Sequence, residues 1–208
     1  YKFLLRSEKN LQIGRTMNGQ PVARDNYLKK LIAFRDSDVI KVVTGMRRCG
    51  KSTLLDMMRS YLAKDGVPTE CLLSFRMESF DLEGIRDWRE LYRHVVERMP
   101  SSGRCYLFFD ELQEVASWEK AINALRVDKD CDIYITGSNA FLLSSEIATL
   151  ISGRYVEIRM HPLSFSEYLD FLGPTEITSR YAVFGKEEIT PIDELLDRYL
   201  KFGGLPYL

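Results

Sequence analysis

The chain predicts an α/β protein, a parallel sheet covered by helices on both faces. Three observations carry that prediction. Short apolar or β-branched runs alternate with stretches of helical periodicity about five times along the sequence. The run at 105–109 is continuously apolar, as a strand buried on both faces must be. Glycine-rich, acidic or polar residues follow directly on the strand runs, where ligands bind in such sheets.

The elements follow in order. Val39, Ile40, Val42 and Val43 make a first strand over 39–44 that leads into glycine and basic residues. Leu54, Leu55, Met58, Tyr61 and Leu62 recur at helical spacing over 52–64, and Gly66 and Pro68 stop that helix. A strand at 71–75 and a helix over 88–99, closed by Pro100, come next. The apolar strand at 105–109 ends in two acids. Ala121, Ile122, Ala124 and Leu125 mark a helix, with Trp118 half-buried at its start. A strand at 133–136, a helix at 141–150 and an alternating strand at 155–158 complete the sheet. Helices are expected at 163–172, where Phe165, Tyr168, Leu169 and Leu172 form a core stripe, and at 192–199, joined by a mixed segment at 173–191. The division this implies is an N-terminal extension over 1–23, a core over 24–172, and a helical linker over 173–208. The absence of an initiator Met and the abrupt stop after Gly203-Gly204-Leu205-Pro206 suggest a further C-terminal domain.

Composition bounds the function. The chain is 45% hydrophobic and 28% charged over 208 residues, so it should be globular rather than disordered. A net charge of −1 gives no support for nucleic acid or an anionic membrane as partner. No stretch approaches the roughly 20 apolar residues of a membrane span, and the opening Tyr1-Lys2-Phe3-Leu4-Leu5-Arg6 is too short for a signal-peptide core. Cys49, Cys71, Cys105 and Cys131 contain no Cys-x-x-Cys pair and read as reduced thiols of a cytoplasmic protein. His94 and His161 are isolated, without metal-ligand spacing.

Chemistry concentrates at the strand ends. Gly45-Met46-Arg47-Arg48-Cys49-Gly50-Lys51-Ser52 matches the phosphate-loop pattern G-x-x-x-x-G-K-[ST], with the required strand before and helix after. Its glycines let backbone N–H groups turn inward, and the helix N-terminus adds positive potential. Lys51 is expected on the β- and γ-phosphates of a nucleoside triphosphate, Ser52 on Mg²⁺, and Thr53 near the α-phosphate. All of Gly45–Thr53 is assigned to nucleotide binding; within it Arg47 and Arg48 can add charge near the phosphates, although pointing to solvent or to a neighbour is the preferred reading. Asp110 then sits beside the Mg²⁺ position, and Glu111 orients and polarises the attacking water, which favours hydrolysis over transfer. No Asn-Lys-x-Asp occurs, so ATP is expected rather than GTP.

Ile135-Thr136-Gly137-Ser138-Asn139 ends the next strand with polar groups. Asn139, and after it Ser138, can report the γ-phosphate, or equally cap the following helix. Arg154, in Ser152-Gly153-Arg154, is an arginine that neutralises γ-phosphate charge in cis or from a neighbouring subunit, an effect of roughly 10³–10⁵ in rate, or else forms a surface ion pair. Arg24 and Tyr27 fit packing and solvent exposure better than adenine contact.

The combination TGMRRCGKSTLL, LFFDELQEV-x-x-WEKAINALR, ITGSNAFLLSSE, SGRYVEI and HPLSFSEYLDF closely resembles a prokaryotic group of AAA-superfamily ATPases. In that group an ATPase core precedes a C-terminal domain of unknown function. The resemblance covers residues 24–208 and implies a P-loop NTPase of the additional-strand type. The strand at 133–136 is then inserted between the phosphate-loop and acidic strands, giving a five-stranded parallel sheet of order 5-1-4-3-2. It assigns Lys51 and Ser52 to the first Walker motif, Asp110 and Glu111 to the second, Ser138-Asn139 to the sensor and Arg154 to the following arginine. ATP, Mg²⁺, an unknown macromolecular target and, as an open alternative, a homo-oligomer are the implied partners. An ATPase coupled to conformational change is the leading reading. The alternatives are a slow nucleotide-dependent switch and, last, a small-molecule kinase, for which the arginines are too scattered.

Overall fold

The computed structural model describes residues 24–82, 84–138, 153–179 and 192–205. Its strands are β1 (Ile40–Gly45), β2 (Leu72–Arg76), β3 (Cys105–Asp110), β4 (Cys131–Ser138) and β5 (Tyr155–Met160). They lie in the order β2-β3-β4-β1-β5, every pair parallel. Read from the other edge this is 5-1-4-3-2, with β4 inserted between β1 and β3 as expected. The helices are α1 (Asp25–Ala33), α2 (Lys51–Lys64), α3 (Trp88–Val96), α4 (Trp118–Asp128), α5 (Phe165–Ser179) and α6 (Ile192–Phe202).

The pleat explains why β3 is apolar at every position. Side chains alternate between faces. Cys105, Leu107 and Phe109 pack with Ile40, Val42, Ile133 and Ile135 against Leu91 and Val95 of α3 and Trp118, Ile122 and Leu125 of α4. Tyr106 and Phe108 turn the other way, with Val43, Tyr134 and Ile158, against Leu31 of α1 and Leu54, Leu55, Met58 and Leu62 of α2. Phe108 stacks on Tyr134 at 4.9 Å between centroids, and Phe109 on Phe75 at 5.2 Å. Each such ring, fully buried, contributes roughly 1.5–3 kcal/mol. Both faces are thus covered.

One pair in this core is ionic. Lys41 and Asp132 are 0% and 1% exposed and bonded directly to each other. Lys41 Nζ also donates to Ser37 O at 3.1 Å, and Asp132 Oδ2 accepts from Asp36 N and Tyr134 Oη, both at 2.9 Å. Burial pulls the Lys41 ammonium below its ordinary value, against the opposing pull of Asp132. This cluster lies at the amino end of the strands.

Beyond shifts of one to three residues at element ends, three elements differ from the sequence reading. Helix α1 was not expected, because its apolar residues Tyr27, Leu28, Leu31 and Ile32 span barely two turns and form a helix only by packing on the core. Trp118 is 3% exposed rather than half-buried, since α4 lays it into the cluster under β3. Helix α5 continues past Gly173-Pro174 to Ser179 rather than stopping at residue 172. Proline has helical φ, so it weakens the pattern without ending the element. The helix expected at 141–150 lies outside the described residues, as do residues 1–23.

Candidate functional site

The loop after β1 is shaped by close packing. A Cβ on Gly45 would approach Met160 O to 2.5 Å and Cys49 Sγ to 2.9 Å, so only glycine lets β5 and the returning loop close on this point. Gly50, at φ 98°, caps α2 from the left-handed region. It offers no side-chain cap, and the first turn of α2 holds no acid, so nothing of that kind offsets the positive end of the helix. Cys49 is buried behind the loop, where burial pushes its thiol up. Met46, Arg47 and Arg48 are exposed, and Arg47 lies 3.7 Å from Glu78.

Lys51, only 4% exposed, turns its ammonium back into the loop, donating to Gly45 O at 3.3 Å and Met46 O at 3.2 Å. Its Nζ also lies 3.7 Å from Glu111 Oε1. Ser52 Oγ donates to Asp110 Oδ1 at 3.0 Å. Thr53 occupies the first turn of α2 beside them. Residues far apart in sequence therefore meet at the carboxyl ends of β1 and β3. Beside them a cavity of about 200 Å³ opens at the carboxyl ends of β2 and β3, lined by Arg76, Glu78, Ser79, Asp110 and Glu111. Arg76 is the register partner of Asp110 and bonds Asp56 of α2 at 2.8 Å.

Two further residues complete the site, and the sequence reading missed both. Thr136, 0% exposed on β4, donates to Asp110 Oδ1 and accepts the Glu111 N–H at 3.1 Å. Gln113 donates from Nε2 to Glu111 Oε2. Thr136 precedes Ser138 and Asn139, the residues expected as sensor, by two and three positions. The signal that finds Thr136 is strand parity: it shares a face with Tyr134, as Asp110 does with Phe108 on β3.

The remaining predicted residues fall elsewhere. Ser138 ends β4 opposite Gly45, in register with the phosphate-loop strand. Asn139 lies outside the described residues. Arg154 precedes β5, its carbonyl accepting from Ile40 N at 2.8 Å, at the start of β1. Since Gly45 pairs with Met160, Arg154 stands at the opposite end of the sheet from Lys51, about 20 Å away at the rise of a parallel strand. The structure does not bring it to the site of its own chain.

Arg24 is 5% exposed, packed over the Tyr27 ring at 4.6 Å. It donates to Cys49 O at 3.4 Å and His161 O at 2.9 Å, and its Nε lies 2.9 Å from Glu167 Oε1. Glu167 in turn accepts from Ser164 N at 2.8 Å, closing a capping box on α5. Packing is therefore its observed role, as favoured from sequence.

The four thiols are unpaired. Cys105 and Cys131 are register partners, and burial pushes them to about 11 and about 12, leaving them protonated. Among the described residues no His, Cys, Asp and Glu cluster forms a metal site of their own, and no helix is long and apolar enough to cross a membrane.

Residues 37–169 match the family model described as an AAA domain. An uncharacterized protein of Haemophilus influenzae is 44% identical over 191 residues, covering 91% of this chain and 45% of that protein. One of Methanocaldococcus jannaschii is 34% identical over 167 residues, covering 80% and 35% respectively. The chain thus spans less than half the length of these relatives. Among solved structures, Hsp104 in a closed-state reconstruction with ATPγS and casein superposes with a TM-score of 0.57 at 16% identity, over 98% of this chain and 37% of Hsp104. That likeness speaks for the fold alone. With the sheet order, the phosphate loop and the family match in agreement, the chain belongs to the AAA superfamily of P-loop ATPases.

Proposed function

We propose that this chain binds ATP with Mg²⁺ and hydrolyses it, coupling the cycle to conformational change on a macromolecular target. The observation that carries the reading is the convergence of Lys51, Ser52, Asp110 and Glu111 at the mouth of a glycine-shaped loop. The residues fit the ligand: a buried ammonium and a helix N-terminus suit phosphate, while a hydroxyl 3.0 Å from a carboxylate offers the hard oxygen donors that Mg²⁺ takes. The metal, when bound, would neutralise negative charge on the phosphate tail. Ser52 and Asp110 would hold it.

Lys51 neutralises the phosphate tail, exchanging its bonds to Gly45 O and Met46 O for phosphate oxygens. Glu111 accepts the proton of the attacking water as the new bond to the γ phosphorus forms and the bond to the bridging oxygen breaks. Gln113 and Lys51 already orient its two carboxylate oxygens. Arg154, at the far end of the sheet, is assigned to a neighbouring subunit's nucleotide. The switch reading differs only in turnover.

Two variants test this. Lys51→Ala should abolish saturable binding of a fluorescent ATP analogue. Glu111→Gln should bind it at native affinity while lowering kcat by roughly 10²–10⁴. Native turnover in Glu111→Gln would leave the switch reading in place, and unchanged binding in Lys51→Ala would defeat both.

A further inference from the structure

We propose that Thr136 is a positioning residue for the two site carboxylates, its hydroxyl setting Asp110 and Glu111 in the arrangement that metal binding and water activation need. The proposal rests on the hydrolytic reading above and goes further, assigning a role to a buried residue outside the phosphate loop and the acidic pair.

The geometry is specific. A hydroxyl has one hydrogen, and Thr136 spends it on Asp110 Oδ1, leaving its lone pairs to accept the Glu111 N–H at 3.1 Å. Asp110 Oδ1 also accepts from Ser52 Oγ at 3.0 Å. Two hydroxyls on one oxygen, from α2 and from β4, fix the rotation of the carboxylate. The second bond acts on the backbone. Consecutive strand residues point to opposite faces, so a Glu111 that continued β3 would aim away from Asp110. Instead Glu111 adopts φ 55°, a left-handed conformation disfavoured for glutamate. Its amide is pinned by Thr136, and its carboxylate turns back to within 3.7 Å of Lys51. Thr136 can do this only because β4 lies beside β3, with Phe109 facing Ile135 in register. Thr136 is 0% exposed, and its hydroxyl faces these two acidic residues.

Thr136→Val keeps the shape and removes the hydroxyl; Thr136→Ser keeps the hydroxyl and removes a methyl. In the full-length protein, Thr136→Val should lower kcat by roughly 10²-fold, the effect of misplacing a reacting group by about 1 Å. Independently of turnover, it should raise the Mg²⁺ concentration for half-maximal binding of a non-hydrolysable fluorescent ATP analogue about tenfold. Affinity for the analogue without Mg²⁺ should stay within about twofold, because Lys51 and the loop are untouched. Thr136→Ser should restore both readouts. Thr136→Val at native values in both, or Thr136→Ser as impaired as Thr136→Val, overturns the assignment; the second result makes the side chain a packing element. Where Thr136→Val does not fold, Thr136→Ala takes its place under the same criteria. Glu111→Gln, run beside them, separates the two levels. If it turns over at native rate, Glu111 is not the base and the Glu111 half of the assignment fails with that role, while the Mg²⁺ readout still decides the Asp110 half. If it is inactive while Thr136→Val is native, only the Thr136 assignment fails.

Discussion

Lys41 is the side chain whose surroundings say most about what holds this core. A fully buried ammonium is tolerated only because Asp132 bonds it, and Asp132 is itself held by Asp36 N and Tyr134 Oη. Removing one partner strands the other. Lys41→Met should therefore destabilise the fold by roughly 3–5 kcal/mol, read as a shift in the urea midpoint. Lys41→Met with Asp132→Asn should lose less than the single variant, since no uncompensated charge remains. An unshifted midpoint for Lys41→Met would show that water, not Asp132, satisfies the pair. The network was illegible in the sequence: Lys41 interrupts a β-branched run, and Asp132 sits 91 positions away, at the start of another strand. The motif lysine was legible, since Lys51 is marked by fixed neighbours and not by distant ones.

Helix α1 illustrates how one element gains function through its neighbours. Arg24 stands at its N-terminus and reaches the back of the phosphate loop at Cys49 O, the end of β5 at His161 O, and the capping carboxylate of α5. Its bond to Cys49 O fixes the orientation of one peptide unit of that loop. Arg24→Met removes charge-assisted bonds worth about 1.5–3 kcal/mol each and leaves Glu167 without its partner. Affinity for ATP should fall by roughly tenfold, with Glu167→Gln shifting it in the same direction by less, both measured by titration of the fluorescent analogue. Equal affinity in Arg24→Met would confine Arg24 to stability. The path continues to α6, where Leu163 N donates to Gly204 O at 2.8 Å and Tyr199 Oη donates to Leu163 O at 2.7 Å. A Cβ on Gly204 would approach Leu163 O to 2.0 Å, so that glycine is set by contact with the segment leading into α5.

The sheet as a whole places Arg154 and the phosphate loop at opposite ends. That separation argues against a cis role for Arg154, so the catalytic part proposed for it calls for a second subunit. Arg154→Ala should bind ATP at native affinity yet turn over roughly 10³-fold more slowly or worse. Mixed with Lys51→Ala, it should recover part of the lost activity, because each variant supplies the group the other lacks. No recovery in mixtures shown by sedimentation to co-assemble would remove Arg154 from catalysis.

Local chemistry explains what could be read from residues alone. A phosphate loop, an acidic strand end and a two-sided apolar β3 are all written in consecutive positions, because backbone turns and pleats are short-range. The strand order, with β4 inserted, came from motif resemblance and is borne out by the pairing. Where contacts bridge separate strands, adjacency does not exist along the chain. Thr136 beside Asp110, Arg24 behind Cys49, and Arg154 at the far end of the sheet all follow from parallel register and from crossovers that set which strands become neighbours. No spacing in the sequence encodes those distances.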